Sequence, residues 1–322
     1  MHKFALSACL NTSRFLAVIL LFGFGGVGRT YAELLYQKTG LRLCAVFDSG
    51  GGVGKKDGFT WEEVKKLLKA PRGAVSKSGV GRQASVDEAL DFCQVVVDVS
   101  PPNYDTGEPS LSLYKKAFSK GLAVVTANKA PLALRFRELA SGGKIFYKAT
   151  VMAGTPLVDL LKGLPPQEVE YVRGILNGST NYVMTRVYKD GISFEKAVEE
   201  AKEKGILEPD PRLDLEGLDA AAKLTIIANT LGVGMTLHQV AREPLRPLGP
   251  VTRYVAYFDK AGNAWVKPLR LPPDDPLHVD YMMNAVEIKT EVNTILVKGK
   301  GAGRVETAHV LINDILKALY NG

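Results

Sequence analysis

An eight-residue apolar run, FLAVILLF (15–22), leads directly into Gly23-Phe24-Gly25-Gly26-Val27-Gly28, and nothing else in the chain restricts the fold as much. The length and β-branched content of the run read as a buried strand. The G-x-G-x-x-G spacing is that of the turn between the first strand and first helix of a dinucleotide-binding fold. Gly23 permits the tight turn. Gly25 lets backbone N–H groups approach a pyrophosphate. Gly28 lets the following helix, expected at about 29–38, pack close to the strand. Phe24, Gly26 and Val27 complete the same cofactor loop.

A second strand, LRLCAVFD (41–48), ends in Asp48, twenty residues past Gly28. An acid there accepts hydrogen bonds from an adenosine ribose and repels a 2′-phosphate, which favours NAD. The residues that follow, SGGGVGKK, bring Lys55 and Lys56, which could neutralise a 2′-phosphate and favour NADP. Both cofactors stay open at this point. The α/β rhythm continues with a helix expected over 57–70, a strand over 94–100, a helix over 110–121 and a strand over 122–129. Ligands of open α/β sheets bind outside the carboxyl ends of strands. Ser100, Thr126, Asn128 and Lys129 are therefore expected on the cofactor side.

The pattern changes at Lys144. Short runs at 144–151, 170–176, 253–259, 264–271, 285–291 and 294–299, separated by turn signals, predict a mixed or antiparallel sheet. Helices are expected at 181–189, 194–204, 215–231 and about 305–319. The fold class is thus α/β, a Rossmann-like parallel sheet followed by a second α+β domain. Its expected organisation is a leader or disordered stretch over 1–14, a dinucleotide-binding domain over 15–143, a substrate-binding, catalytic and dimerisation domain over 144–300, and a C-terminal helix over 301–322 that returns to the cofactor domain.

The stretch GILEPDPRLDLEGLDAAAKL (205–224) carries five acids and then Lys223. Asp219 and Lys223 lie four apart and share a helix face, while Leu224, Ala228 and Leu231 form the core stripe. On a wet surface such a pair contributes only ~0.2–0.5 kcal/mol. Facing a cleft, it suits a substrate with an ammonium and a reacting oxygen. Glu208 and Asp219 would hold the ammonium, and Lys223 would protonate the oxygen as hydride reaches the carbon.

These residues resemble the homoserine dehydrogenase family. The resemblance runs through GFGGVGR, TGEPSL, VVTANKAPLA, YKATVMAGTPL, GILNGSTNYVMTRV, SFEKAVEEAKEKGILEPDPRLDLEGLDAAAKL and GKGAGRVETAHVLINDIL. It implies reversible reduction of L-aspartate 4-semialdehyde to L-homoserine with NAD(P)H, on the route to threonine and methionine. It assigns substrate binding to Glu208 and Asp219, a further active-site acid to Asp214, proton transfer to Lys223, and a second active-site lysine to Lys129. Gly205, Gly301 and Gly303 match cofactor contacts. Relatives bind a monovalent cation through a Glu and backbone carbonyls matching Val151, Ala153 and Thr155. Here Lys148 replaces the Glu, so no metal is expected, with the ammonium standing in for the ion. Met152 and Ile206 also depart from the family pattern. The chain stops after its last helix, so a short form without a C-terminal regulatory domain, insensitive to threonine through one, is expected. The alternatives are a catalytically silent cofactor-binding homologue and a dehydrogenase of a related amino-acid aldehyde. The resemblance further implies a homodimer built through the sheet domain.

The remaining composition excludes other classes. Net charge is +7, which suits an anionic ligand, but the cations are dispersed without interleaved aromatics, against nucleic-acid binding. No apolar run reaches the ~18–20 residues of a membrane span. Cys9, Cys44 and Cys93 are far apart without a CxxC, which points to reduced thiols and the cytoplasm. The acid-free start, with Ser, Thr and Arg, offers an organellar transit peptide as the alternative. His2, His238, His278 and His309 lack metal-ligand spacing.

Overall fold

The computed structural model describes residues 18–164, 169–208 and 210–320. The expected leader over 1–14 and the first residues of the opening strand lie outside them. The first sheet contains β1 (Val18–Phe22), β2 (Arg42–Asp48), β3 (Gly51–Gly54), β4 (Arg82–Gln83), β5 (Val95–Asp98), β6 (Ala123–Thr126) and β7 (Ile145–Phe146). Its order is β4-β3-β2-β1-β5-β6-β7. Strands β2, β1, β5, β6 and β7 are parallel, and β3 and β4 extend the edge antiparallel. Both β5 and β6 are buried along their length, which explains the uninterrupted apolar runs. Successive connections leave β1 on opposite sides, so a crevice opens at the carboxyl ends of β1 and β5.

Helices α1 (Gly26–Lys38), α2 (Trp61–Lys69), α3 (Val86–Leu90), α4 (Ser110–Ser119) and α5 (Ala130–Gly142) connect this sheet. The start of α2 is set by a capping box, Thr60 with Glu63, which satisfies two N–H groups that a helix end would otherwise leave unpaired. Beyond it come α6 (Leu157–Gly163), α7 (Gly178–Asp190), α8 (Phe194–Glu203), α9 (Arg212–Leu215), α10 (Leu218–Thr230) and α11 (Arg304–Tyr320). The second sheet is formed by β8 (Val169–Ile175), β9 (Ala241–Arg242), β10 (Thr252–Asp259), β11 (Ala264–Arg270), β12 (Met283–Thr290) and β13 (Thr294–Lys300). Its order is β13-β12-β8-β10-β11-β9, antiparallel except for the β11–β9 pair.

The structure departs from the expected elements at several points. The strand expected over 144–151 contracts to β7, which pairs with β6 and closes the first sheet rather than opening the second. It ends because Thr150 folds back, its N–H and hydroxyl both donating to the Tyr147 carbonyl (3.0 and 2.6 Å). The glycine-rich segment after Asp48, for which no element was expected, is strand β3. A Cβ on Gly52 would lie 2.1 Å from the Phe47 ring, so only glycine allows that pairing. The helix expected over 215–231 is divided at Gly217, whose φ of 78° is left-handed. Finally, helix α5 follows Lys129 directly, in a segment for which the sequence named no element.

Helix α11 returns from the second sheet to the first. Ala308, Leu311, Ile312 and Ile315 pack in one cluster with Tyr31, Ala32 and Leu35 of α1. Each fully buried aliphatic side chain there contributes ~1.5–3 kcal/mol. No helix of the described residues is long and apolar enough to cross a membrane.

Candidate active site

The glycine loop has the shape its spacing predicts. Gly23 has a φ of 102°, and a Cβ on it would lie 2.6 Å from the Ser100 nitrogen. A Cβ on Gly28 would meet the Gly23 carbonyl oxygen at 2.1 Å, whereas nothing lies within 4 Å of one on Gly25. The turn is thus tight on its protein side and open where a pyrophosphate approaches, at the amino end of α1, which has no acid in its first turn. These residues fit a dinucleotide. Phe24 is buried, with the Arg29 guanidinium 4.7 Å from its ring centroid. Val27 is half-buried in the first turn.

Asp48 lies at the carboxyl end of β2, where its oxygens accept from the Gly50 and Val75 N–H groups (2.9 and 3.1 Å). Lys55 does not join it. Strand β3 runs antiparallel to β2, so the Lys55 N–H donates to the Cys44 carbonyl at the other end of the strand (2.7 Å), and its ammonium pairs with Glu63 (2.8 Å). That pairing turns Lys55 away from Asp48.

The carboxyl ends of β5 and β6 form a buried polar network. Asp98 accepts from the Ser100 N–H (2.8 Å) and the Tyr114 hydroxyl (2.6 Å), and burial raises its carboxyl. Asn128, expected as a cofactor contact, spends its amide inside the protein. Its Nδ2 donates to the hydroxyls of Ser100 and Ser110 (both 3.1 Å), and its Oδ1 accepts from Ala130 (3.1 Å). Its side chain therefore shapes the loop that presents Lys129, the residue preceding α5.

Across the crevice, Leu176 and Asn177 follow the end of β8, and Asn177 caps α7 through the Thr180 N–H (2.9 Å). Lys223 of α10 donates to the Leu176 carbonyl (2.7 Å) and pairs with Asp219 (2.7 Å). The other oxygen of Asp219 is 3.4 Å from the Lys129 ammonium. Asn177 Nδ2 bridges Asp214 (2.6 Å) and Asp219 (2.8 Å). Helix α10 is buried on nearly every side, so the Asp219–Lys223 face is not a surface, contrary to the division into core stripe and outer face that periodicity suggests.

Burial works to raise Asp219, but the ammonium groups of Lys223 and Lys129 outweigh it and hold the carboxyl well below its usual range. Burial and the neighbouring Asp219 charge push Asp214 the other way, up to about 6. The oxygens of Asp219 thus face two lysines and an amide. Glu208 is exposed on the turn after α8 and makes no hydrogen bond or ion pair among the described residues. That turn, which begins at Gly205 (φ 64°), is tied to α7 by the Ser179 hydroxyl and the Ile206 carbonyl (2.8 Å). Gly301 is buried against the Asn284 amide, and Gly303 (φ 141°) precedes α11.

Asn177 carried no role of its own in the sequence, although it lies in the GILNGSTNYVMTRV segment of the resemblance. Tyr104 carried none. Its hydroxyl is buried without a partner among the described residues, close enough to Asp219 and Asp214 that burial and both charges raise it well above the usual phenol range.

Lys148 lies in a 3-10 turn (Lys148–Thr150), with its ammonium 2.9 Å from Asp159, 3.2 Å from Asp314 and 2.7 Å from Asn313 Oδ1. Val151 and Ala153 are buried in the turn that follows, and Thr155 ends it.

A glycine loop at a parallel-sheet crevice, faced by two lysines on one half-buried carboxylate, defines a nicotinamide-dinucleotide-dependent oxidoreductase acting on a CH–OH group. Comparisons with known proteins specify it further. The homoserine dehydrogenase family model matches residues 156–316, and the glutamate/leucine/phenylalanine/valine dehydrogenase model matches residues 8–103. A homoserine dehydrogenase of Sulfurisphaera tokodaii is 41% identical over 92% of this chain and 97% of its own. An NAD(+)-dependent homoserine dehydrogenase of Pseudomonas canavaninivorans is 31% identical over 92% and 95%. A hyperthermophilic archaeal homoserine dehydrogenase solved with NADPH superimposes with a TM-score of 0.81 at 30% identity, covering 95% of this chain and 98% of its own. The chain belongs to the homoserine dehydrogenase family.

Proposed function

We infer that this site interconverts L-aspartate 4-semialdehyde and L-homoserine with NAD(P)H or NAD(P), and that Lys223 and Lys129 act on the reacting oxygen. The observation that carries the assignment is Asp219, which holds both ammonium groups at the crevice, one from each half of the molecule. When bound, the nicotinamide supplies or accepts the hydride. In the reducing direction the carbonyl oxygen gains negative charge as its carbon gains hydride. Lys223, oriented by the Leu176 carbonyl and Asp219, gives that oxygen a proton. Lys129 approaches from the cofactor side and stabilises the developing charge. Asp214 and Glu208, rather than Asp219, take the substrate ammonium. Asn177 keeps Asp214 and Asp219 apart in function by donating to both.

The same reading makes Lys148 a built-in cation in place of a metal, and makes the enzyme a cytoplasmic homodimer. The dimer face is the side of the second sheet turned away from α7 and α10, where Tyr171, Tyr257 and Trp265 stack half-exposed.

The test is absorbance of reduced cofactor with L-homoserine and either NAD or NADP, in wild type and Lys223→Ala. Turnover lower by about 10²–10⁴ in the variant is expected. Equal turnover in the two would remove Lys223 from the chemistry, and no turnover in wild type with cofactor bound would favour a silent homologue. The same assay ranks NAD against NADP.

A further inference from the structure

A cation lies over the glycine loop that no motif of the first half supplies. Helix α11 opens with Arg304, immediately after the Gly301-Ala302-Gly303 turn. Its side chain crosses the first residue of α1. A Cβ on Gly26 would lie 2.6 Å from Arg304 Nε and 2.9 Å from its Cζ. Arg304 is exposed and makes no hydrogen bond or ion pair among the described residues. The acid in its own first turn, Glu306, is taken by Lys300 (2.8 Å).

The loop's own cation is committed elsewhere. Arg29 follows the glycines directly, but its guanidinium donates to the carbonyls of Leu68 (2.6 Å) and Ala70 (2.7 Å) at the end of α2. Space is open over Gly25, beside the Arg304 guanidinium, and α1 begins there without a side-chain cap. A planar guanidinium pairs with phosphate oxygens through parallel N–H bonds, and an unpaired one has no other ion pair to break when it does so.

We propose that Arg304 is the pyrophosphate clamp of this protein, lent to the cofactor loop by the helix that leaves the substrate sheet. The glycine loop offers backbone N–H groups from below, and Arg304 adds the charge from above. Since it addresses the pyrophosphate, it serves NAD and NADP alike and leaves their discrimination to the neighbourhood of Asp48. The proposal rests on the dinucleotide reading of the site.

Titrating wild type, Arg304→Gln and Arg304→Lys with NADH and with NADPH, by fluorescence of the reduced cofactor, tests it. Arg304→Gln should weaken both by about tenfold or more, to a similar degree, with Arg304→Lys between. Displacement by ADP-ribose should weaken in step, and displacement by adenosine should not. Unchanged thermal melting of the exposed-site variants controls for folding. Affinity of Arg304→Gln within twofold of wild type overturns the proposal. So does a loss confined to NADPH, which would move Arg304 to the 2′-phosphate. Wild type that binds neither cofactor overturns it together with the dinucleotide reading. Cofactor binding that weakens as expected, in a protein that does not oxidise homoserine, supports the clamp and removes only the assigned reaction.

Discussion

Asp214 and Asp219 are five residues apart and share a hydrogen-bonding amide, yet they are driven in opposite directions. Two ammonium groups lie on Asp219, while Asp214 has burial and a neighbouring negative charge against it. That difference predicts pH behaviour. If Asp214 holds the substrate ammonium, it must be ionised, so kcat/KM for homoserine should fall as pH drops through about 6. Asp214→Asn should lower kcat/KM at neutral pH and abolish that acid limb. An unchanged limb in the variant would assign it to another group. The stability sign is opposite to that of a salt-bridged acid. A carboxyl raised in the fold keeps a proton that the unfolded chain releases, so its contribution is present below its ordinary pKa and lost as pH rises towards about 6. At pH 7 the Asn variant should therefore melt no lower than wild type. The sequence displayed both acids in one stretch, but their division of labour depends on which lysines fold back against which oxygen.

At the scale of elements, the most informative join is the turn between β7 and α6. Lys148 links it to Asp159 of α6 and to Asp314 of α11, whose side chain is 0% exposed. Removing one partner of a buried pair leaves the other charge without compensation, so Lys148→Ala should cost about 3–5 kcal/mol in denaturant unfolding. A loss below 1 kcal/mol would mean that Asp314 is satisfied without it. If this ammonium stands in for an external cation, as proposed, wild-type activity should be indifferent to sodium or potassium at constant ionic strength. A clear rise with either would end the substitution argument. Lys148 was legible as a departure from the family pattern. Its partners were not, because they lie 11, 165 and 166 residues away in sequence.

For the whole molecule, the second sheet has one face on α7 and α10 and the other without a helix. Tyr257 stacks on Trp265 at 4.9 Å and on Tyr171 at 6.0 Å across that face, and Leu296 at its edge is 43% exposed. A stacked aromatic row left half in water is the chemistry of an interface core. Trp265→Glu should convert a dimer to monomer in sedimentation velocity at micromolar concentration. A dimer unaffected by it would place the interface elsewhere.

What the sequence determined by itself is local and periodic. The strand–glycine–helix unit, the strands β1, β2, β5, β6, β8, β10, β11, β12 and β13 to within a few residues, and the GILEPDPRLDLEGLDAAAKL stretch follow from hydrophobic period, turn chemistry and glycine spacing, all of which act over a few residues. The misreadings fall where distant contacts override those signals. β3 exists because Phe47 needs glycines beside it, and β7 joins the first sheet because β6 is there to pair with. Lys55 is carried away from Asp48 by the antiparallel turn between β2 and β3. Tertiary structure alone decided that Asp219 faces two lysines, that Asn128 turns inward, that Asp214 is the acid left to titrate, and that an arginine from the last helix lies over the first glycine turn. A side chain's charge state and partner are set by what surrounds it in space, and a linear pattern carries that only when the surroundings are its own neighbours.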